Sequence, residues 1–174
     1  MSSLDRLWAG WRADYIEAVT GAGALESHPD GCVFCAILAS GLPDTETHVV
    51  WRHPGGQAVA LLNAYPYCSG HLMVMPTRHV GAVEDLTPDE GAAVWQGIGE
   101  AIRAVKSAYR PDGLNIGANL GRAAGAGIPG HFHMHVLPRW TGDSNFMTSI
   151  ADTRVLPETL SAAAAKVRAA WEPA

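Results

Sequence analysis

The sequence predicts an α+β domain in which helices stand outside a meander of strands, an arrangement unlike the regular alternation of a doubly wound parallel sheet. Three observations predict it. Five short apolar segments separated by turn residues read as strands. One long amphipathic stretch with its own start signal reads as a helix, and an alanine-rich tail reads as another.

Along the chain, LDRLWAGWRADYIEAV (4–19) spaces Leu7, Trp8, Trp11, Tyr15 and Ile16 as a short helix lying on the domain, and residues 20–31 are loop. THVVWRH and QAVALLN flank Pro54-Gly55-Gly56, which is hairpin punctuation between strands. HLMVMP follows the turn-like YPYCSG as a third strand. Thr87-Pro88-Asp89-Glu90 opens the long helix: Thr87 caps, Pro88 suits the first helical position and Glu90 completes a capping box. Val94, Ile98, Ala101, Ile102 and Val105 form its buried stripe. LNIGAN and HFHMHVLPRW are the last two strands, and Pro157 to Trp171 is helical. The domain reading is an N-terminal extension over 1–31, the main domain over 32–146 and a helical tail over 147–174.

Composition narrows the function. Of 174 residues, 48% are hydrophobic and 17% charged, as in a globular protein, and the net charge of −5 excludes the broad basic face that duplex nucleic acid requires. No apolar run approaches a membrane span and no secretory leader is visible, so the expectation is a cytoplasmic protein without membrane or nucleic-acid partners. The three cysteines, two of them in Cys32-Val33-Phe34-Cys35, are too few for a disulfide framework and suit a metal or redox site.

The segment carrying most chemistry is His131-Phe132-His133-Met134-His135-Val136-Leu137. Successive strand side chains alternate between faces, so three imidazoles share one face while Phe132, Met134 and Val136 enter the core. An isolated His-x-His is more often a metal site or an accident; a third histidine in phase is rarely chance. The preceding loop, 117–130, places five glycines in fourteen positions, which lets backbone N–H groups approach an anion, although such a loop alone is equally a flexible connection.

Taken together, HFHMHVL, ALLNAYPYCSGHLMVMPTRH and the glycine loop resemble the histidine triad family, whose signature alternates histidine with apolar residues. LWAGWRADYI and PRWTGDSNF resemble the branch acting on dinucleoside polyphosphates, which includes diadenosine tetraphosphate phosphorylases. The resemblance implies an antiparallel sheet of about five strands with a long helix and a C-terminal helix. It implies a nucleotide hydrolase or transferase in which His133 attacks the α-phosphorus and becomes nucleotidylated, with His135 stabilising charge. Asn63 would hold the ribose hydroxyls. Asn119, Gly125, Ala126, Gly127, Ile128, His131 and His135 would face the phosphates. An imidazole with a pKa of about 6.5 supplies a neutral nitrogen at pH 7 without an activating base.

Relatives with this CxxC complete a structural zinc site with the equivalents of His79 and His131, giving Cys32, Cys35, His79 and His131 as ligands here. The resemblance requires no catalytic metal or organic cofactor; Mg2+ enters only as a companion of the substrate phosphates. It also implies a homodimer. Many relatives carry Gln then Ser or Thr where this chain has Gly125-Ala126-Gly127-Ile128, so a side-chain contact to the leaving phosphate is absent, and backbone donors or Arg122 are its candidate replacements.

The alternatives are a nucleoside phosphoramidate hydrolase, a nucleotide-binding signalling module with little catalysis, and a metal-dependent hydrolase. The last lacks an evident carboxylate base. His28, His48 and His53 read as surface or turn residues, Cys68 as a small buried hydrophobe, and His71 as a strand-opening residue bonded to backbone. Trp140 and Phe146 read as packing residues with a possible stacking role, and Arg78 and Arg139 as surface charge or phosphate guides.

Overall fold

A computed structural model describes residues 31–143 and 157–171, so the segment expected to form an N-terminal helix, His28 and Phe146 lie outside it. CxxC opens helix α1 (Val33–Ala39), and a single helical turn, α2 (Asp44–Thr47), precedes the sheet. The strands are β1 (Val49–Arg52), β2 (Ala58–Leu62), β3 (Leu72–Pro76), β4 (Gly113–Gly117) and β5 (Met134–Arg139). They form one antiparallel sheet in the order β1-β2-β3-β5-β4. The long helix α3 spans Pro88–Tyr109 and the C-terminal helix α4 spans Leu160–Trp171. The α+β antiparallel architecture expected from the sequence is the one observed.

The capping box forms as read: the Glu90 N–H donates to Thr87 Oγ1 at 3.2 Å and the Thr87 N–H donates to Glu90 Oε2 at 2.9 Å. Arg78 clamps the same carboxylate in bidentate fashion, at 2.7 and 2.8 Å. With the capping bonds it holds Glu90 at a pKa of about 2.

Strands β2 and β3 are buried along their whole length because both faces are covered, which is why they read as apolar runs without alternation. On one face Ala60, Leu62, Leu72 and Val74 pack on Val94, Ile98, Ala101 and Val105 of α3 and on Ala163, Ala164 and Val167 of α4. Gly97 permits this approach, since a Cβ there would lie 2.8 Å from the Trp51 ring and 2.9 Å from Val74 Cγ1. On the other face Val49, Val59, Leu61, Met73 and Met75 pack with Cys32, Phe34 and Cys35.

The C-terminal helix begins at Leu160 and not at Pro157, and two strand starts differ from the sequence reading. The first strand starts at Val49 because Asp44–Thr47 is helical and His48 takes a left-handed backbone, φ 57°. The last starts at Met134, although the run was expected to be strand from His131. Continuing the β3–β5 register would set Phe132 opposite Pro76, which has no N–H to donate, and the Phe132 N–H bonds Val80 O instead. The alternation of faces survives: Phe132 and Val136 are core residues with Met134 packed against them. No helix among the described residues is long and apolar enough to cross a membrane.

Candidate active site and metal centre

A cleft of about 540 Å³ opens on the α1 face of the sheet. Val33, Phe34 and Ile37 line it from α1, Leu61 and Met73 from the sheet, and Asn119, Arg122, Gly125, Gly127 and Ile128 from the β4–β5 connection. His133 and His135 face into it, and both are more than nine-tenths buried as residues.

Hydrogen bonding fixes the proton on each imidazole. His133 Nδ1 lies 2.8 Å from the carbonyl of His131, which can only accept, so Nδ1 carries the proton and the lone pair sits on Nε2. Burial depresses the pKa of His133, which keeps it neutral at pH 7. The second chain starts at the backbone: the Tyr67 N–H donates to His71 Nδ1 at 3.1 Å, so a neutral His71 carries its proton on Nε2. That nitrogen is 2.8 Å from His135 Nδ1 and donates to it, leaving the His135 proton on Nε2. Asn63 Nδ2 at 3.5 Å from His71 Nε2 is too distant to compete. Burial, followed by the neighbouring His133, lowers the His135 pKa to about 4. The pair therefore offers one nucleophilic nitrogen and one N–H donor.

Among the expected phosphate donors, Gly127 and Ile128 line the cleft and their N–H groups have no acceptor among the described residues. The N–H groups of Gly125 and Ala126 instead close the Arg122–Ala124 turn, bonding Arg122 O and Gly121 O. Gly125 takes φ 90° to end that turn, a conformation that strains any side chain with a Cβ. Ala126 is buried outside the cleft lining. Asn63 and Asn119 both line it, and Asn63 Oδ1 accepts the Tyr65 N–H.

His131 does not face the phosphates. It is fully buried, its Nε2–H donates to Pro76 O at 2.9 Å, and its Nδ1 points at Cys32 Sγ (3.5 Å) and Cys35 Sγ (3.6 Å). His79 Nδ1 lies 3.3 Å from Cys35 Sγ. One ligand atom from each of Cys32, Cys35, His79 and His131 lies within 4.8 Å of the others. A tetrahedral zinc with bonds of roughly 2.0 to 2.3 Å sets its ligand atoms about 3.5 Å apart, so the set fits Zn2+. The Pro76 carbonyl orients His131 as an outer partner orients a ligating imidazole. A metal here would tie α1 to the start of the triad segment.

Arg78 and Arg139, read as possible phosphate guides, are committed elsewhere: Arg78 to Glu90, Arg139 to Asp143 and Asn115. Trp140 packs edge-on against Tyr109. Cys68 donates to Pro138 O. His71 opens the strand and bonds backbone as read, but its partnership with His135, 64 positions away, was not foreseen, nor was the place of His48 in the cleft lining. The Gly70-His71 step before an apolar run was the only local trace of the former.

The HIT domain family model matches residues 44–142. The chain belongs to the histidine triad family. It is 43% identical over 158 residues to the AP-4-A phosphorylase of Mycobacterium tuberculosis, covering 90% of this chain and 79% of that one. A Zn-bound histidine triad family protein from Mycobacterium smegmatis superposes with a TM-score of 0.64 at 30% identity, covering 80% of this chain and 92% of that one. A hypothetical histidine triad nucleotide-binding protein from Sulfolobus tokodaii gives a TM-score of 0.65 at 27% identity over 80% of this chain and 91% of that chain.

Proposed function

We propose that this histidine triad protein cleaves dinucleoside polyphosphates such as diadenosine tetraphosphate, with orthophosphate as the acceptor. The observation that carries the chemistry is the His131 carbonyl on His133 Nδ1, which directs the Nε2 lone pair into the cleft. Nε2 attacks the α-phosphorus: an N–P bond forms, the P–O bond to the remaining phosphates breaks, and the leaving chain departs with that oxygen. An orthophosphate oxygen then attacks the same phosphorus, forming P–O as P–N breaks and returning the lone pair to His133. One difficult displacement becomes two easier ones. The Nε2–H of His135 and the N–H groups of Gly127 and Ile128 stabilise charge on the phosphoryl oxygens.

The similarity to an AP-4-A phosphorylase favours phosphate over water, as do Gly125 and Gly127, which line the cleft without a side chain and leave room for an acceptor. Asn63 holds the ribose. The proposal includes a cytoplasmic site of action. Two copies are taken to pair, covering the outer edge of β4, which bonds only β5 within the sheet and exposes Ile116; light scattering giving the monomer mass would remove that part.

The test is product analysis of diadenosine tetraphosphate with wild type and His133→Ala, with and without orthophosphate. ADP plus ATP formed only with phosphate, and lost in the variant, is the expected result. AMP plus ATP regardless of phosphate makes the enzyme a hydrolase, and no turnover with cleavage of a nucleoside phosphoramidate moves it to that substrate class.

A further inference from the structure

Sheet register sets a straight row across the cleft floor: His135 on β5 stands opposite Met73 on β3, Met73 opposite Leu61 on β2, and Leu61 opposite Val49 on β1. His48 immediately precedes Val49, and its carbonyl accepts the Leu62 N–H at 3.1 Å. Three inter-strand steps of about 4.8 Å put this end of the row roughly 14 Å from His135. A nucleoside monophosphate laid along this row, with a hydrogen bond beyond the far edge of its base, fits that length, with Asn63 at the ribose between. The floor and the α1 wall on either side of that path, Leu61, Phe34 and Ile37, are apolar, as suits the faces of a stacked base.

His48 is a polar side chain at the end of this slot with no hydrogen-bond partner among the described residues. It lines the cleft, its Nδ1 is sealed from solvent without a partner, and its Nε2, which is not sealed, has no hydrogen-bond partner among the described residues either. Packing economy does not explain such a group, because an unpaired sealed nitrogen costs stability. Its placement is nevertheless enforced. Arg168 of α4 donates to the carbonyls of Asp44 and Val49, on either side of His48, and so fixes the left-handed turn that aims the ring. Burial favours the neutral ring, and the charge of the same guanidinium adds to this. In that positive field a sealed nitrogen is better left as a lone pair, which puts the proton on Nε2, facing the cleft.

We infer that His48 reads the nucleobase edge, donating its Nε2–H to a ring-nitrogen acceptor of a purine bound with its phosphate at His133. The inference rests on the proposed nucleotide substrate and deepens it by assigning base selection to a residue outside the triad.

Titration calorimetry tests it with AMP, UMP and ribose 5-phosphate on wild type and His48→Asn. Asparagine tolerates the left-handed backbone but is too short to reach, so the fold is retained, and an unchanged melting temperature verifies this. One lost hydrogen bond of about 1.4 kcal/mol predicts a roughly tenfold loss of AMP affinity and a reduced AMP-to-UMP ratio, with ribose 5-phosphate unaffected. A second series uses AMP analogues in which one ring nitrogen at a time is replaced by CH: one of them should bind wild type about tenfold more weakly than AMP does, yet bind His48→Asn equally well. If His48→Asn keeps the wild-type ratios, His48 does not read the base, though the nucleotide site stands. If wild type binds neither AMP nor UMP, the nucleotide reading itself fails and this inference fails with it.

Discussion

His71 Nε2 lies 2.8 Å from His135 Nδ1, and both rings are buried. Because the Tyr67 N–H occupies the other nitrogen of His71, the bond has one direction and leaves His135 as a donor toward the cleft. His71 is thus a positioning residue that acts through His135. His71→Ala should lower single-turnover cleavage about 10- to 100-fold, the effect of losing a buried bond of roughly 1–3 kcal/mol, while KM changes little. His133→Ala should instead abolish the nucleotidylated intermediate, seen as loss of label transfer from substrate to protein. An equal effect on KM and kcat in His71→Ala would show that His71 only shapes the pocket.

The depressed pKa of His135 has a defined consequence for stability. Unfolded, its imidazole titrates near 6.5; folded, at about 4, mainly through burial and secondarily through His133. Between these values the unfolded chain binds the extra proton, so the folded state loses stability as pH falls from about 6.5 to 4 and loses no more from this group below that. At pH 5 the loss from this group is up to about 2 kcal/mol. Urea unfolding at pH 7 and pH 5 should show a larger drop in wild type than in His135→Asn. Equal drops in the two proteins would assign the acid sensitivity to other groups.

The Cys32, Cys35, His79 and His131 cluster predicts one zinc per chain by metal analysis. Cys35→Ser should lose the metal and several kcal/mol of stability, about 10 °C in melting temperature for a domain of this size. Phe34, between the cysteines, sits 5.2 Å edge-on from the His133 ring, so loosening α1 should also raise KM. A metal-free wild type with both thiols readily alkylated would leave the cluster a reduced core pair.

What could be read from the sequence was whatever depends on near neighbours. The capping box at Thr87 and Glu90, the Pro54-Gly55-Gly56 hairpin and the alternation through Phe132, His133 and Met134 are set by residues within a few positions, and they appear where expected. The CxxC pair was visible, but its completion by His79 and His131 came from family resemblance, since those ligands are 44 to 99 positions away. The local sequence placed His71 at a strand start and His48 at a turn, but each acquires its role from a strand neighbour or a helix brought in by the fold. The strand boundary at Met134 was hidden for the same reason, because the missing N–H belongs to Pro76 on the facing strand.

Arg122 carries the only full formal charge among the described residues lining the cleft; the rest are apolar, uncharged polar or histidine. Its guanidinium forms no ion pair or hydrogen bond with the described residues, unlike Arg78, Arg139 and Arg168. It sits on the β4–β5 connection that lacks a Gln-Ser/Thr pair, following the strand at the opposite edge of the sheet from β1 and His48. On the proposed reading, a cation placed there meets the phosphates past the scissile bond, or the incoming acceptor, and not the nucleoside. Arg122→Ala should therefore raise KM for diadenosine tetraphosphate and for orthophosphate about five- to tenfold while leaving AMP affinity near that of wild type, as loss of one partly exposed charge-assisted contact of about 1 kcal/mol or slightly more implies. Because the contact is open to solvent, added salt should weaken tetraphosphate binding to wild type more steeply than to the variant. Parallel salt dependences in the two proteins would place the charge recognition on the backbone donors of Gly127 and Ile128 alone.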